Sequence, residues 1–284
     1  MNGFAINAMP IVSIIIPCFN HGKYINEAVD SVLNQTFQDF EIIIINDGST
    51  DDFTNQILQN YRKEKTKVIH IENSGVASAR NIGIQAASGK YILPLDADDR
   101  ILPQYLEKAV LAMEQNEKLG IVYCKARFFG AMTHNWELKP YSLDVMLDGN
   151  CIFSTALFRR SSWEKVGGYK AQMDKGLEDY EFWLSLIENG AQVLQIPEIL
   201  FEYRKHNTSR TTVSNKNIVI LMVKIISYHL PFYQININFL TFRVKIIMYI
   251  AYCKEKKLLP CANTILYIIN KAYNIARRLK SLSV

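Results

Sequence analysis

The first half of the chain alternates short, almost uncharged apolar runs with segments whose apolar residues recur at helical spacing. The apolar runs are rich in β-branched residues, which is typical of strands covered on both faces of a parallel sheet. We predict strands at 11–16, 40–45, 67–71 and 91–95, and helices at 24–35 and 76–87. Strands that alternate with helices over short connections favour an α/β fold, a doubly wound and mostly parallel sheet flanked by helices.

The pattern is looser after the fourth predicted strand. It predicts a helix at 104–117, strands at 121–129, 152–158 and 193–203, and a further helix that starts with carboxylates near 178 and runs to 187. From 131 to 150 the apolar residues recur at neither helical nor strand spacing, so we predict an irregular loop there. Long loops over a crevice often hold substrate.

Polar residues follow three of the predicted parallel strands. Asn20 comes after the first strand, Asp47 after the second and the acidic run from Asp96 to Asp99 after the fourth. Ligands of doubly wound sheets bind beyond the carboxyl ends of the strands. We therefore expect these polar groups to converge on one crevice.

Three carboxylates crowd the end of the fourth strand: Asp96, Asp98 and Asp99. Like charges this close raise one another's pKa unless a cation neutralises them. A divalent cation with a preference for oxygen ligands, Mg²⁺ or Mn²⁺, would do so. A solvated turn that caps the following helix is the plain alternative, and the residues alone leave both open.

Composition limits the classes of protein to which the chain can belong. The 284 residues are 49% hydrophobic and 21% charged, enough for the full core of a globular protein. The five cysteines include no Cys-x-x-Cys pair, so neither a disulfide framework nor a zinc site is indicated. No signal peptide is expected at the N-terminus, because its uncharged start lacks a positive region. These features favour the cytoplasm.

The last quarter of the chain differs in charge from the rest. Residues 216–284 hold eleven Lys or Arg and one acidic residue, whereas residues 1–215 carry a net negative charge. We therefore divide the chain into a main domain at 1–215, the catalytic domain if the chain is an enzyme, and a basic helical C-terminal extension at 216–284. Polar residues in this extension argue against a membrane-spanning helix. No known nucleic-acid-binding module is visible in it either.

An apolar stripe with basic flanks runs from 265 to 282. A basic amphipathic helix of this kind can lie in an anionic membrane surface. Packing against the catalytic domain or another subunit is the alternative, and the sequence does not choose between them.

Four blocks together carry a resemblance to a known family: VSIIIPCFN at 12–20, INDGSTD at 45–51, NSGVASARNIG at 73–83 and LDADD at 95–99. In this order and spacing they resemble family 2 glycosyltransferases, which have the A-type nucleotide-diphosphosugar transferase fold. The later Leu177-Glu-Asp179 and His206 match the family's base and late ligand. The resemblance covers about residues 10–210 and implies transfer of a sugar from a nucleotide-diphosphosugar.

The resemblance implies a role for each candidate residue. It places the donor among Pro17, Phe19, Asn20, Asp47, Arg80 and Asp96, a divalent metal at Asp98 and His206, and the base at Asp179 beside Glu178. Each has a plainer alternative: packing for Phe19, a helix cap for Asp47 and for the Glu178–Asp179 pair, a surface cation for Arg80 and a solvated His206. Asp99 is expected to be structural.

One base that faces the leaving group implies an inverting transferase. The expected donor is a UDP-sugar, and the expected acceptor is a saccharide or a lipid-linked saccharide of a bacterial surface polysaccharide. The alternatives are a sugar nucleotidyltransferase and a non-catalytic nucleotide-sugar or polysaccharide-binding scaffold. Against the nucleotidyltransferase, residues 17–20 replace its Gly-rich loop.

Overall fold

The computed structural model describes residues 9–173, 175–206, 218–236, 238, 244 and 247. Its first half contains β1 (Val12–Cys18), α1 (Gly22–Leu33), β2 (Phe40–Asp47), α2 (Asp52–Gln59), β3 (Thr66–Ile71), α3 (Val76–Gln85) and β4 (Tyr91–Pro94). The predicted alternation of strands and helices is confirmed here. α2 begins in the polar turn after β2, where Asp51 caps it by accepting a 2.8 Å hydrogen bond from the Thr54 N–H.

The second half continues with β5 (Arg100–Ile101), α4 (Tyr105–Gln115), β6 (Leu119–Gly130), β7 (Asn135–Trp136), α5 (Leu143–Asp148), β8 (Leu157–Arg159), α6 (Arg160–Val166), α7 (Glu178–Glu188) and β9 (Gln192–Lys205). After a gap in the description come α8 (Ile218–Tyr228) and α9 (Leu230–Ile235). Within the described residues, the strands form one sheet in the order β3-β2-β1-β4-β8-β6-β9-β5, with β7 on β6.

The sheet is parallel from β3 to β4 and mixed beyond it. β8 runs antiparallel to both β4 and β6, and it thereby joins the parallel first half to the second half, where β6 and β9 are parallel. β1 and β2 are buried along almost their whole length because helices cover both faces of the sheet. The predicted α/β class with a mostly parallel sheet is therefore confirmed.

Two predicted elements of the second half were wrong in part. The loop predicted at 131–150 contains β7 and the helix α5, because the β6–β7 pairing and buried Met146 and Leu147 order it. The strand predicted at 152–158 is reduced to β8. Residues 152–156 are buried beneath other side chains without a ladder partner, so their apolar character reflects packing rather than strand pairing.

α8 and α9 pack on the domain that precedes them. Ile225 and Ile226 of α8 are fully buried, and the Tyr233 hydroxyl of α9 lies 3.2 Å from the Tyr180 hydroxyl of α7. His229, between α8 and α9, contacts carboxylates of α7. In the described part of the chain no helix has the length and apolar character needed to cross a bilayer. The predicted amphipathic helix at 265–282 lies outside the described residues.

Candidate active site

The ends of β4 and β9 bring together residues that are far apart in sequence. Asp98 lies in the turn after β4, and His206 directly follows β9. Their side chains are in contact, with His206 Nε2 2.7 Å from Asp98 Oδ2. His21, just before α1, approaches the other carboxylate oxygen at 3.6 Å. Two imidazoles therefore converge on one partly buried carboxylate at the carboxyl edge of the sheet.

The surroundings of Asp98 favour its ionised form. Burial opposes ionisation, but hydrogen bonding and charge from His21 and His206 outweigh burial and lower the pKa of Asp98. In turn, the hydrogen bond to Asp98 raises the pKa of His21. The Tyr24 ring packs against the His206 ring at 5.3 Å and restricts where the imidazole can lie.

The donor set at Asp98 fits a divalent cation. A carboxylate oxygen and an imidazole nitrogen at hydrogen-bonding distance are ligand types that Mn²⁺ and Mg²⁺ sites use. Among the described residues there is no ready-made cage of three or more His, Cys, Asp or Glu side chains. A cation here would take its remaining ligands from phosphate oxygens and water, as Mg²⁺ commonly does at nucleotide sites.

Asp99 faces the protein interior. It is buried, and its Oδ1 accepts a 2.8 Å hydrogen bond from the Arg204 backbone N–H of β9. Burial and the neighbouring charges of Asp98 and Asp96 raise its pKa well above the ordinary value. This carboxyl group therefore ties the turn after β4 to the end of β9.

The turn after β2 is built around Asp47. Its carboxylate accepts hydrogen bonds from the backbone N–H groups of Ser74 (2.7 Å) and Gly75 (3.1 Å), which precede α3. Gly48 has φ of 63°, and a side chain there would meet the Asn73 backbone, so only glycine fits this turn. Asp47 caps neither neighbouring helix, because Asp51 is the N-cap of α2 and Gly75 that of α3. The capping alternative is therefore wrong, and the predicted contact of Asp47 with the base stays a prediction.

The turn after β1 presents an aromatic ring. Phe19 is 42% exposed, so one ring face is open for stacking, while Pro17 pairs within the sheet. Asn20 has a positive φ of 57°, and its Oδ1 accepts a 2.8 Å hydrogen bond from the Thr50 N–H. Asn20 therefore holds the β1 and β2 turns together beneath Phe19. Direct contact of Pro17, Phe19 or Asn20 with a donor stays a prediction.

Arg80 of α3 lies inside the protein and not at its surface. Its side chain is 1% exposed, and it donates hydrogen bonds to Asp96 (2.8 Å) and Glu178 (3.1 Å). These carboxylates outweigh the effect of burial and raise its pKa further. The alternative that Arg80 is a surface cation is therefore wrong. A contact with a diphosphate would have to compete with both carboxylates, and the geometry assigns Arg80 the bridge between them.

Asp179 lies in the first turn of α7 and has a different environment from Asp98. Burial, followed by the charge of Glu178, raises the pKa of Asp179 to about 7, against the opposing effects of Arg80 and the Tyr180 N–H. Asn150 donates a 3.0 Å hydrogen bond to its Oδ2. The preceding Leu177 has φ of 63°, a conformation that costs energy for leucine and sets where the helix starts.

Known proteins resemble this chain in sequence and in fold. Residues 13–176 match the model of Glycosyl transferase family 2. The chain belongs to this family. This glycosyltransferase is 32% identical to "Uncharacterized glycosyltransferase EpsJ" of Bacillus subtilis over 73% of its own length and 65% of EpsJ. It is also 32% identical to "Putative teichuronic acid biosynthesis glycosyltransferase TuaG" of the same organism, over 72% of this chain and 82% of TuaG.

Two solved structures share the fold of this glycosyltransferase. S. aureus TarS residues 1–349, in complex with UDP-GlcNAc, superposes with a TM-score of 0.63 at 22% identity, covering 75% of this chain and 65% of TarS. The mannosyltransferase PcManGT of Pyrobaculum calidifontis, in complex with GDP-Man and Mn²⁺, superposes with a TM-score of 0.60 at 17% identity, covering 97% of this chain and 88% of PcManGT. The A-type glycosyltransferase fold is therefore confirmed.

Two residues of the glycosyltransferase site escaped sequence reasoning. His21 was not singled out, although it directly follows the quoted block at 12–20, and Asn150 fell in the stretch predicted to be an irregular loop. Proximity to the block is a signal that could have found His21. No local signal marks Asn150, because its contact with Asp179 spans 29 residues of sequence.

Proposed function

We propose that this glycosyltransferase is an inverting, metal-dependent enzyme that transfers a sugar from a UDP-sugar to a hydroxyl group of a saccharide or lipid-linked saccharide. One observation carries the proposal: the site has two carboxylates with opposite pKa shifts, a lowered pKa at Asp98 and a raised pKa at Asp179. Groups whose environments separate their pKa values in this way can divide ligand binding and proton transfer between them.

Asp179 is the proposed general base. A carboxylate with a pKa near 7 is largely ionised at slightly alkaline pH and still basic enough to accept a proton from an attacking hydroxyl group. As the acceptor oxygen bonds to the anomeric carbon, its proton passes to Asp179 and the bond to the diphosphate oxygen breaks. A single displacement of this kind inverts the anomeric configuration. Glu178 is held by Arg80, and its charge helps to raise the pKa of Asp179.

Asp98 and His206 are the proposed metal-holding residues, with His21 close to the same carboxylate. When bound, the ion supplies positive charge that neutralises the departing nucleoside diphosphate. The Mn²⁺ in the PcManGT complex supports this proposal. Asp96, which Arg80 holds at 2.8 Å and which is 32% exposed, would contact the donor.

The donor and the pathway are proposals drawn from the relatives. The complex of TarS with UDP-GlcNAc supports a uridine donor here, with Phe19 and Asp47 at the base. The name of TuaG refers to teichuronic acid biosynthesis, which supports a role in cell-surface polysaccharide synthesis. We propose a cytoplasmic enzyme that binds the inner face of the membrane through its basic C-terminal extension. Because Asp98 contacts His206, and Asp179 interacts with Arg80, which also holds Asp96, we favour catalysis over the scaffold alternative.

The function is tested by incubating the full chain with a panel of UDP- and GDP-sugars, with MnCl₂, MgCl₂ or EDTA, and measuring nucleotide release. We expect release from a UDP-sugar that EDTA abolishes, and product NMR that shows inverted configuration. Asp179→Asn should lose at least about 10²-fold in rate, whereas Asp144→Asn, an exposed aspartate of α5, should not. Absence of turnover with every donor would favour the scaffold, and retained configuration would exclude the single displacement.

Membrane attachment is tested by sedimenting the full chain with vesicles of phosphatidylglycerol and with vesicles of phosphatidylcholine. We expect binding to the anionic vesicles alone and its loss when the chain ends after residue 250, which removes the stripe at 265–282. Equal binding by the shortened chain would exclude the stripe as the anchor.

A further inference from the structure

Three aromatic side chains form a partly exposed cluster at the carboxyl ends of β6 and β9. Phe128 of β6, Trp136 of β7 and Tyr203 of β9 are each only partly buried. The Trp136 ring stacks on Phe128 at 5.0 Å and contacts Tyr203 at 5.2 Å. We call these three residues the aromatic platform. Its inner side rests on buried Phe153, 6.1 Å from Trp136.

The platform depends on a small hairpin. β7 is only two residues long, and it pairs antiparallel with β6 so that Trp136 lies opposite Ala126. The parallel register of β6 and β9 places Phe128 beside Tyr203. A core would bury a tryptophan more completely, so a hairpin that leaves large rings partly in water indicates a binding surface.

Short stretches of chain connect the platform to residues of the proposed catalytic site. Tyr203 is three residues before His206 at the end of β9. On the other side, Phe153 is three residues after Asn150, which donates the hydrogen bond to Asp179. Phe153 and Asn150 therefore link the platform to the proposed base.

The platform also carries a positive charge. Lys205 Nζ lies 4.6 Å from the centre of the Phe128 ring and 5.0 Å from that of Tyr203. The neighbouring acidic residue of β9, Glu202, is buried and paired with Arg100 and Arg127, so Glu202 is engaged by other cations. An ammonium group above aromatic rings can pair with a carboxylate on a ligand that packs there.

We propose that the aromatic platform is the acceptor subsite and that it takes an acidic saccharide. A pyranose ring packs its apolar C–H face on Trp136, its carboxylate pairs with Lys205, and a hydroxyl group of the chain end reaches Asp179. This inference rests on the proposed function and deepens it, because it names a uronic-acid-containing acceptor. The aromatic rings supply contact area, and Lys205 supplies the preference for charge.

The test measures binding of two tetrasaccharides by calorimetry: one of alternating glucuronic acid and N-acetylglucosamine, and one of N-acetylglucosamine alone. We expect the full chain to bind the acidic one more tightly. Trp136→Ala should weaken that binding by about tenfold or more, and Trp136→Phe by much less. Lys205→Met should remove the preference for the acidic ligand. Tyr228→Ala, which removes a 41% exposed ring of α8, is the matched control.

Nucleotide release from the donor without any acceptor separates the two proposals. If the wild-type chain releases nucleotide but Trp136→Ala, folded by circular dichroism, binds both tetrasaccharides as the wild type does, the platform is excluded and the transferase stands. Failure of the wild type to bind either tetrasaccharide also overturns the platform. Binding to the platform without nucleotide release from any donor would instead contradict the proposed function.

Discussion

Asp98 and Asp179 show how one residue type takes two roles through its neighbours. Two imidazoles face Asp98 and lower its pKa, whereas burial and the charge of Glu178 raise the pKa of Asp179 to about 7. Arg80 connects the two regions, because it contacts Asp96 from the acidic turn and Glu178 from α7. The chemistry of the site is therefore set by contacts with a few specific side chains.

The hydrogen bond from Asn150 should lower the pKa of the proposed base, Asp179. Asp179 must be ionised to accept a proton, so kcat/KM should fall as the pH drops through about 7. Asn150→Ala removes a hydrogen-bond donor that favours the ionised form of Asp179, so the pKa of Asp179 should rise. The acidic limb of the pH–rate profile should then move to higher pH by about one unit. A pH–rate profile at saturating metal measures the shift. Asn60→Ala, at an exposed asparagine after α2, should leave the acidic limb where it is. An acidic limb that does not move in Asn150→Ala would contradict the assignment of Asp179 as the base.

Removal of the buried Arg80 should destabilise the fold. Arg80→Met leaves Asp96 and Glu178 without their partner, and breaking a buried ion pair in this way costs about 3–5 kcal/mol. Urea unfolding followed by circular dichroism measures the loss in the free energy of unfolding. Arg62→Met, at an exposed arginine, should change it by less than about 0.5 kcal/mol. Equal values for the two variants would show that the bridge contributes nothing.

At the scale of elements, the turn after β4 presents its three carboxylates in three directions. Asp96 contacts Arg80 of α3, Asp98 contacts His206 after β9, and Asp99 is buried against the Arg204 backbone. The turn thus connects the parallel half of the sheet to the last strand of the second half. A shift of β9 would move His206 away from Asp98, so the sheet holds the proposed metal-holding pair together.

This arrangement predicts a ranking of two conservative variants. Asp98→Asn removes the charge that faces His21 and His206, and transfer should fall by at least about 10²-fold. Asp99→Asn keeps an oxygen that can accept the Arg204 N–H, and the raised pKa means that little charge is lost, so transfer should fall by less than about tenfold. Initial rates at saturating metal and donor test the ranking, and its reversal would exclude Asp98 as the metal-holding residue.

At the scale of the whole molecule, the boundary predicted at residue 215 does not mark the end of the packed core. α8 and α9 bury apolar side chains against the domain, and His229 contacts Glu181 and Glu188 of α7, the helix that carries Asp179. α8, α9 and His229 thus pack against α7, the helix that carries the proposed base. The stripe at 265–282 lies outside the described residues, so membrane contact and packing both stay predictions for it.

Truncation tests this support. A chain that ends after residue 215 loses the buried side chains Leu221, Met222, Val223, Ile225, Ile226, Leu230 and Tyr233. At roughly 1.5–3 kcal/mol for each large buried side chain, the loss should exceed about 5 kcal/mol. The melting temperature of the 1–215 chain should therefore fall well below that of a 1–250 chain, which keeps both helices. Equal melting temperatures would show that α8 and α9 are not part of the cooperative unit.

The sequence by itself determined the class of fold and the family, and it predicted a candidate site at one edge of the sheet. Strand and helix periods predicted the parallel half of the sheet, because buried strands and amphipathic helices have local signatures. The strand ends then located Asp47, Asp96 and Asp98 at one edge, since that edge follows from the topology of any doubly wound sheet. These inferences needed only neighbours along the chain.

Only the tertiary structure decided which groups touch. The sequence predicted Arg80 at the diphosphate, with a surface cation as the alternative, whereas the folded chain buries it as the bridge between Asp96 and Glu178. Asn150 beside Asp179 and Trp136 on the aromatic platform arise where β6, β7 and β9 meet residues distant in sequence. Such contacts depend on strand register and on burial, and a pKa depends on both. No local pattern encodes them, which is why the roles of these residues required the folded molecule.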